Sequence, residues 1–304
     1  MAEPTGLFRH GGPLNRSVIE VFTSLGLDAG APVLRAFFDA ERPALNAIFR
    51  RREQWPGLFR EFSLFPEEEC DRAAARYLDW RADILYWKAL TRIYMSELEQ
   101  RVVVTGLDYF REAAGGSFRF MLLPFHIRQF PLLTPALKSL SLRYATIVSV
   151  NNPDDVVRNP PREQPGILLD SKDPFVLLRA RQALGQDRAV IVYPDLPRGG
   201  NPAKIPLRFL GRQLTAHSSW HLFCLSEQLP AVPCFATAGP GNTVQLTIGK
   251  ALPAPRDENE ATDMVRRLYA YYEEPVRGTL IQWEGWAEAS WTGKTSSTWE
   301  HSSS

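Results

Sequence analysis

A chain of 304 residues with 44% apolar side chains is long enough for one large domain or two small ones around a sizeable core. The 35 basic residues nearly balance the 34 acidic ones, so the net charge of +1 argues against a broad nucleic-acid footprint. Cys70, Cys224 and Cys234 are far apart and lack metal-ligand spacing, so they read as reduced, buried thiols of a cytoplasmic protein with no metal site.

The opening Met1-Ala2-Glu3-Pro4-Thr5-Gly6 has neither the basic nor the apolar region of a signal peptide. Val18 to Phe38 is interrupted by Glu20, Asp28, Pro32 and Arg35, short of the roughly 20 clean apolar residues of a membrane span. Membrane contact is therefore expected to be peripheral at most. Residues 1–100 read as a helical region packed on the core. Arg16 to Leu25 is a short amphipathic piece. Pro32 to Phe49 places Val33, Phe37, Leu45 and Ile48 near helical spacing, and Pro43 suits a helix start better than a helix interior. Pro66 before Glu67-Glu68-Glu69 marks another helix start, because acidic groups suit the positive end of the helix dipole. That helix runs to about Gln100, with Trp80, Ile84, Trp87 and Thr91 on one apolar face that reads as core packing.

From Val102 to Thr105 the pattern becomes a strand, turned at Gly106. Leu107 to Ala114 is a short helix closed by Gly115-Gly116. Phe118 to Phe125 is a buried strand running into His126, Leu132 to Leu142 a helix, and Tyr144 to Val150 another strand. Asn151 to Pro165 is a loop rich in proline and charge. Phe175 to Leu184 is helical, and Ala189 to Tyr193 is a third buried strand ending at Pro194-Asp195. Pro230 to Ala236 and Thr243 to Ile248 are later strands, and Asp257 to Glu274 is a closing helix. This alternation predicts an α/β core over residues 101–292: a mixed central sheet flanked by helices, with active groups at strand ends. Residues 293–304 are a Ser/Thr-rich flexible tail.

Three clusters carry the candidate chemistry. His126, at a strand end beside Arg128 and Gln129, reads as a general base on a hydroxyl or amine, or as a histidine satisfied by backbone. The stretch Pro194 to Arg212 puts Asp195 directly after a buried strand. In it Gly199-Gly200 allow close backbone approach, and Arg198, Lys204, Arg208 and Arg212 crowd a short loop suited to anionic groups; the alternative is a solvated basic loop. His217 and His221 would share a helix face, but no acidic ligand lies between them. There is no Gly-x-Ser-x-Gly elbow and no phosphate-binding loop.

In order, these segments resemble the lipid A biosynthesis (lauroyl/myristoyl) acyltransferases of the lysophospholipid acyltransferase superfamily, over roughly Phe62 to Trp291. Phe65-Pro66-Glu67 resembles that family's early Phe-Pro-Glu, and Val104 to Phe110 its strand-turn-helix. His126 falls at the histidine of its His-x4-Asp/Glu motif. Tyr193-Pro194-Asp195, Gly199-Gly200 and Pro206-x-x-Phe209-x-Gly211 are similar to its Pro-Asp, Gly-Gly and Pro-Phe-Phe-Gly block. Leu229 to Ala236 resembles the strand that follows, and Gln282-Trp283 through Trp286 the closing segment.

The resemblance implies a glycerol-phosphate-acyltransferase-like fold and no metal. It also implies a histidine that deprotonates a hydroxyl for attack on an acyl thioester of acyl carrier protein or coenzyme A. Two departures stand out. Pro131 occupies the position of the motif's carboxylate, and the family's N-terminal membrane anchor has no counterpart in the reading above. Asp195 would rebuild the pair if the two strand ends adjoin, at about 3 Å from His126. Gln129 could orient the ring but could not offset its charge.

Three functions remain open. One is a soluble acyltransferase with His126 and Asp195 as catalytic residues. It would act on a thioester- or carrier-tethered small molecule, with Arg128, Gln129, Arg198, Gly199, Gly200 and Arg208 binding substrate. The second is a repurposed scaffold catalysing elimination or cyclisation on a molecule held by an acyl or amino-group carrier protein. The third is a non-catalytic partner subunit, since fold alone does not set function.

Overall fold

Residues 16–50, 59–60, 65–148, 165–195, 203–279, 281–285 and 290–291 are described by a computed structural model. In chain order the elements are α1 (Arg16–Arg50), α2 (Cys70–Ile93), α3 (Met95–Glu99), β1 (Val102–Thr105), α4 (Leu107–Ala114), β2 (Met121–Pro124), α5 (Leu133–Ser139), β3 (Tyr144–Val148), β4 (Gly166–Asp170), α6 (Val176–Gly185), β5 (Ala189–Ile191), β6 (Ala203–Phe209), β7 (Arg212–Ser218), α7 (Trp220–Glu227), β8 (Ala231–Ala238), β9 (Val244–Ile248), α8 (Glu258–Arg277) and β10 (Ser290–Trp291).

Seven strands form a sheet in the order β1-β9-β8-β2-β5-β3-β4. Every neighbouring pair is parallel except β8 with β9. The protein is thus a mixed α/β fold, a mostly parallel sheet flanked by helices on both faces. Central strand β2 shows why: all four of its residues are buried. Met121 and Leu123 join a core with α6, α7, α8 and the β6–β7 hairpin, while Leu122 joins a second core with α1, α4 and α5. Strands covered on both sides read as continuous apolar runs, as this one does. The long helix α2 contributes to both cores, with Trp80, Ile84 and Thr91 buried and Trp87 half-buried.

The structure corrects several expectations. Helix α1 runs through Pro32 and Pro43, and its break falls at Gly26 (φ 70°). Each proline forfeits an internal hydrogen bond. Packing of Leu27, Leu34, Phe38 and Leu45 into the second core holds the helix nonetheless. By length and composition Ile19–Ala47, with mean hydropathy 1.2, is long and apolar enough to cross a membrane, which the broken stretch Val18 to Phe38 did not suggest. Its charges find partners: Asp28 with Arg101 at 2.5 Å, and Arg35 and Arg42 with Asp83 at 2.6 and 2.8 Å.

Lys204, Arg208 and Arg212 are not loop residues. They lie on a β6–β7 hairpin turned at Leu210 and Gly211, both at positive φ. Ile205, Leu207 and Phe209 point inward and alternate with exposed residues. Pro206 masks that strand signal, but β6 is an edge strand, where a missing N–H costs no ladder bond. Edge strand β4 has no counterpart among the expected elements. The loop expected over Asn151 to Pro165 and the tail after residue 292 lie almost wholly outside the described residues.

His217 and His221 do not share a helix face, because His217 lies in β7 and His221 in the first turn of α7. The buried His221 Nδ1 lies 2.8 Å from Ser218 Oγ. Burial holds the imidazole below its ordinary pKa, so the fold favours its neutral form. That contribution is complete above the unfolded value of about 6.5 and is lost as the pH falls from there through the lower folded-state pKa. Urea unfolding should therefore show stability falling as the pH drops below about 7. His221→Gln should flatten that part of the profile. An unchanged slope in the variant would assign the dependence to other groups.

Candidate functional site

Strands β2 and β5 are parallel neighbours, with Met121 opposite Val190 and Leu122 opposite Ile191. The same 69-residue offset persists beyond their C-terminal ends, where it sets His126 against Asp195. Strand register therefore brings the two side chains together with no help from the local motif. His126 Nδ1 lies 2.9 Å from Asp195 Oδ1, and the backbone N–H of His126 donates to Asp195 Oδ2 at 2.7 Å. The indole N–H of Trp283 donates to the same Oδ2 at 3.0 Å. The Asp195 side chain is fully buried and that of His126 nearly so, 0% and 6% exposed.

Three N–H groups thus converge on one carboxylate, which satisfies a buried anion that would otherwise be costly. A carboxylate that only accepts places the imidazole proton on Nδ1. Nε2 is left with its lone pair, and no hydrogen bond engages it among the described residues. Burial first, and the neighbouring Asp195 second, push the Tyr269 hydroxyl up from its ordinary pKa. That hydroxyl donates to the carbonyl of Pro194 at 3.2 Å.

The ring is held on both sides. It lies against Tyr193, at 4.1 Å between centroids, and meets Phe130 edge-on at 4.9 Å. The loop below it is fastened by residues 282–284. Arg128 N–H donates to Gln282 O at 2.9 Å, Glu284 N–H donates to His126 O at 3.0 Å, and Ile127 bridges Trp283. The segment is anchored in turn by the Arg81–Glu284 ion pair at 2.6 Å. Trp283 and Glu284 had no assigned role in the sequence. The available signals were the resemblance of Gln282-Trp283 through Trp286 to the family's closing segment and the need of a buried indole for an acceptor.

His126 opens onto a cavity of about 450 Å³ between α5 and the sheet, within the usual size range of small-molecule sites. Its wall is mixed: Leu133 and Leu137 on α5, Val148 on β3, Leu168 on β4 and Ile191 on β5 alternate with the polar side chains of Thr134, Tyr144 and Thr146.

The other expected site residues are placed elsewhere. Arg128 (φ 52°) turns away: its guanidinium lies over Phe235 and near Gly278 at the C-terminal end of α8, where a cation suits the helix dipole. Half-buried, it is held below its ordinary pKa by desolvation. The Gln129 carboxamide oxygen accepts from Ala238 N–H at 3.2 Å, so it ties the loop to β8 and does not orient the imidazole. Arg208 is exposed on the hairpin, with Nε donating to Gly211 O at 3.2 Å, and does not line the cavity. Arg198, Gly199 and Gly200 lie outside the described residues. Pro131 sits in a 3-10 turn, Phe130–Leu132, leading into α5. No group of three or more potential metal ligands occurs among the described residues.

No protein-family model and no curated protein matches the chain. Among solved structures, it is similar to the 1-acyl-sn-glycerophosphate acyltransferase PlsC of Thermotoga maritima, with a TM-score of 0.39 and 15% identity over 81% of this chain and 95% of that one.

Proposed function

We propose that the protein is a soluble, cytoplasmic acyltransferase-like enzyme. It would move an acyl group from a thioester of acyl carrier protein or coenzyme A to a small hydroxyl or amine acceptor. The observation that carries this reading is the 2.9 Å contact between buried His126 and buried Asp195 beside a cavity of about 450 Å³. The family resemblance of the segments around both residues supports it.

In this reading Nε2 takes the acceptor's proton as its oxygen or nitrogen bonds to the thioester carbonyl carbon. The tetrahedral adduct then collapses, the carbon–sulfur bond breaks, and the leaving thiolate takes the proton back from the imidazolium. Asp195 offsets the transient positive charge, and Tyr193 and Phe130 keep the ring in plane. The Asp195 carboxylate does from β5 what the family's motif does from within its own turn.

The test is thiol release from octanoyl-coenzyme A, followed with a thiol-reactive dye and by mass spectrometry. Wild type should release free thiol, and His126→Gln should slow it by about 10²- to 10⁴-fold, the usual worth of a general base. Glutamine retains a donor for Asp195, so the variant should still fold. Thiol release at the wild-type rate in His126→Gln, or none from wild type, would overturn the reading.

A further inference from the structure

One end of the cavity is marked by His126 and by Lys88 on α2, whose ammonium stands 5.7 Å from the centre of the Phe130 ring that His126 also meets. The floor follows β3 away from that end. Leu122, Ile191, Thr146 and Leu168 form one row across the sheet. His126 lies beyond this row toward the C-terminal strand ends, and Tyr144 lies before it. Val148, Thr146 and Tyr144 are alternate residues, so they share one face of β3 at intervals of roughly 7 Å. Thr146 is 9% exposed and sits between Ile191 and Leu168, where a valine would fill the same space. Its hydroxyl makes no hydrogen bond among the described residues. Nor does that of Tyr144, which is 7% exposed. The Tyr144 ring lies over Gly166, where a Cβ would come within 2.5–2.6 Å of it, so the glycine makes its room. Burial first, and Glu99 second, raise the pKa of this hydroxyl, so it stays protonated and can both donate and accept. Two buried hydroxyls on one cavity face call for partners.

We propose that the cavity takes an acyl chain carrying an oxygen function, a hydroxyl or a carbonyl, in the half remote from its thioester. The thioester carbonyl lies at His126, the chain runs along β3 past Val148, and the oxygen function meets the hydroxyls of Thr146 and Tyr144. A plain hydrocarbon chain displaces water from both hydroxyls and returns no hydrogen bond, whereas the substituted chain replaces what it displaces. A site that bonds a substrate oxygen rejects the analogue lacking it more strongly than an apolar site rejects an added hydroxyl. The proposal rests on the acyl-transfer reading for the placing of the thioester, but binding of the chain needs no turnover.

Isothermal titration with two coenzyme A thioethers, S-octyl and S-(8-hydroxyoctyl), tests it, since neither can be turned over. Wild type should bind the hydroxylated thioether about tenfold more tightly, a difference of about 1.4 kcal/mol. Thr146→Val and Tyr144→Phe should each lower that preference. The double variant should abolish it while binding the S-octyl thioether at least as tightly as wild type does. A double variant that loses affinity for both thioethers alike would show that the hydroxyls only support the fold, and would overturn the proposal. So would equal binding of the two by wild type, a preference that survives in the double variant, or no binding of either. Failure of the two readings is separable. A hydroxyl preference that depends on Thr146 and Tyr144, without thiol release from octanoyl- or 8-hydroxyoctanoyl-coenzyme A, sinks acyl transfer alone. Thiol release with no hydroxyl preference sinks only the assignment of the chain.

Discussion

Asp195→Asn is expected to lower thiol release by about 10⁴-fold, the size of effect seen when a triad carboxylate becomes an amide, while the chain still folds. The reason is in the three donors that surround the carboxylate. Two of them, the His126 backbone N–H and the Trp283 indole, converge on Oδ2. An asparagine satisfies both only by placing its amide oxygen there. Its NH₂ group then faces His126 Nδ1 in place of Oδ1. The imidazole must accept at Nδ1 and carry its proton on Nε2, the nitrogen that should receive the acceptor's proton. The variant loses the base although every side chain stays in place. Exchanging charge-assisted bonds for neutral ones should also cost about 1–3 kcal/mol of stability. Nitrogen NMR of the labelled imidazole should show the proton moving from Nδ1 to Nε2. An Asp195→Asn enzyme with near wild-type turnover would show that the pair is structural.

How far the sequence could reach is visible at this same pair. The run Met121 to Phe125 and the run Ala189 to Tyr193 are apolar enough to announce buried strands, and a parallel α/β sheet follows from their alternation with helices. Their adjacency is a long-range fact, however. Neighbouring strands in such a sheet need not be neighbours in sequence, and here the β3–β4 segment intervenes in the chain but lies beyond β5 in the sheet. The local motif, with Pro131 where a carboxylate was sought, pointed to a gap that the register of β2 against β5 fills. The reverse failure occurs at Arg208 and Gln129. Both residue types suit a ligand site, yet strand alternation turns one to solvent and a backbone N–H on β8 claims the other. Asp195 was legible as a candidate because it directly follows a buried strand, whereas Lys88 and Trp283 sit at no such strand end. Lys88 reaches the cavity from a helix, and Trp283 reaches Asp195 across 88 residues.

Tyr272→Phe is expected to give the largest stability loss of any single-atom deletion in this region, about 2–4 kcal/mol. Strands β2 and β8 are central, yet their register sets Leu123 against Pro233 and Pro124 against Cys234. Neither proline has an N–H to give, so the parallel ladder is short of donors at the end that leads into His126. The Tyr272 hydroxyl stands in the gap. It accepts from Cys234 N–H at 2.9 Å and lies 2.7 Å from the carbonyls of both Leu123 and Cys234, to which its single proton can be donated. The ring is fully buried and stacks on Phe125 at 3.9 Å, and burial pushes the hydroxyl well above its ordinary pKa. Phenylalanine keeps the stacking and removes only the bridge, so the buried backbone groups of Leu123 and Cys234 lose a hydrogen bond that no water can replace. Neighbouring Tyr271, whose hydroxyl makes no hydrogen bond among the described residues, provides the control. Tyr271→Phe should change stability by no more than about 0.5 kcal/mol. Urea titrations of the two variants settle the point. If Tyr272→Phe is as mild as Tyr271→Phe, the β2–β8 junction closes without the hydroxyl, and the position of His126 must be credited to residues 282–284, Asp195 and the Gln129–Ala238 bond. If the loss is as large as expected, one side chain of α8 keeps two proline-broken strands together at the place where the imidazole must be aimed.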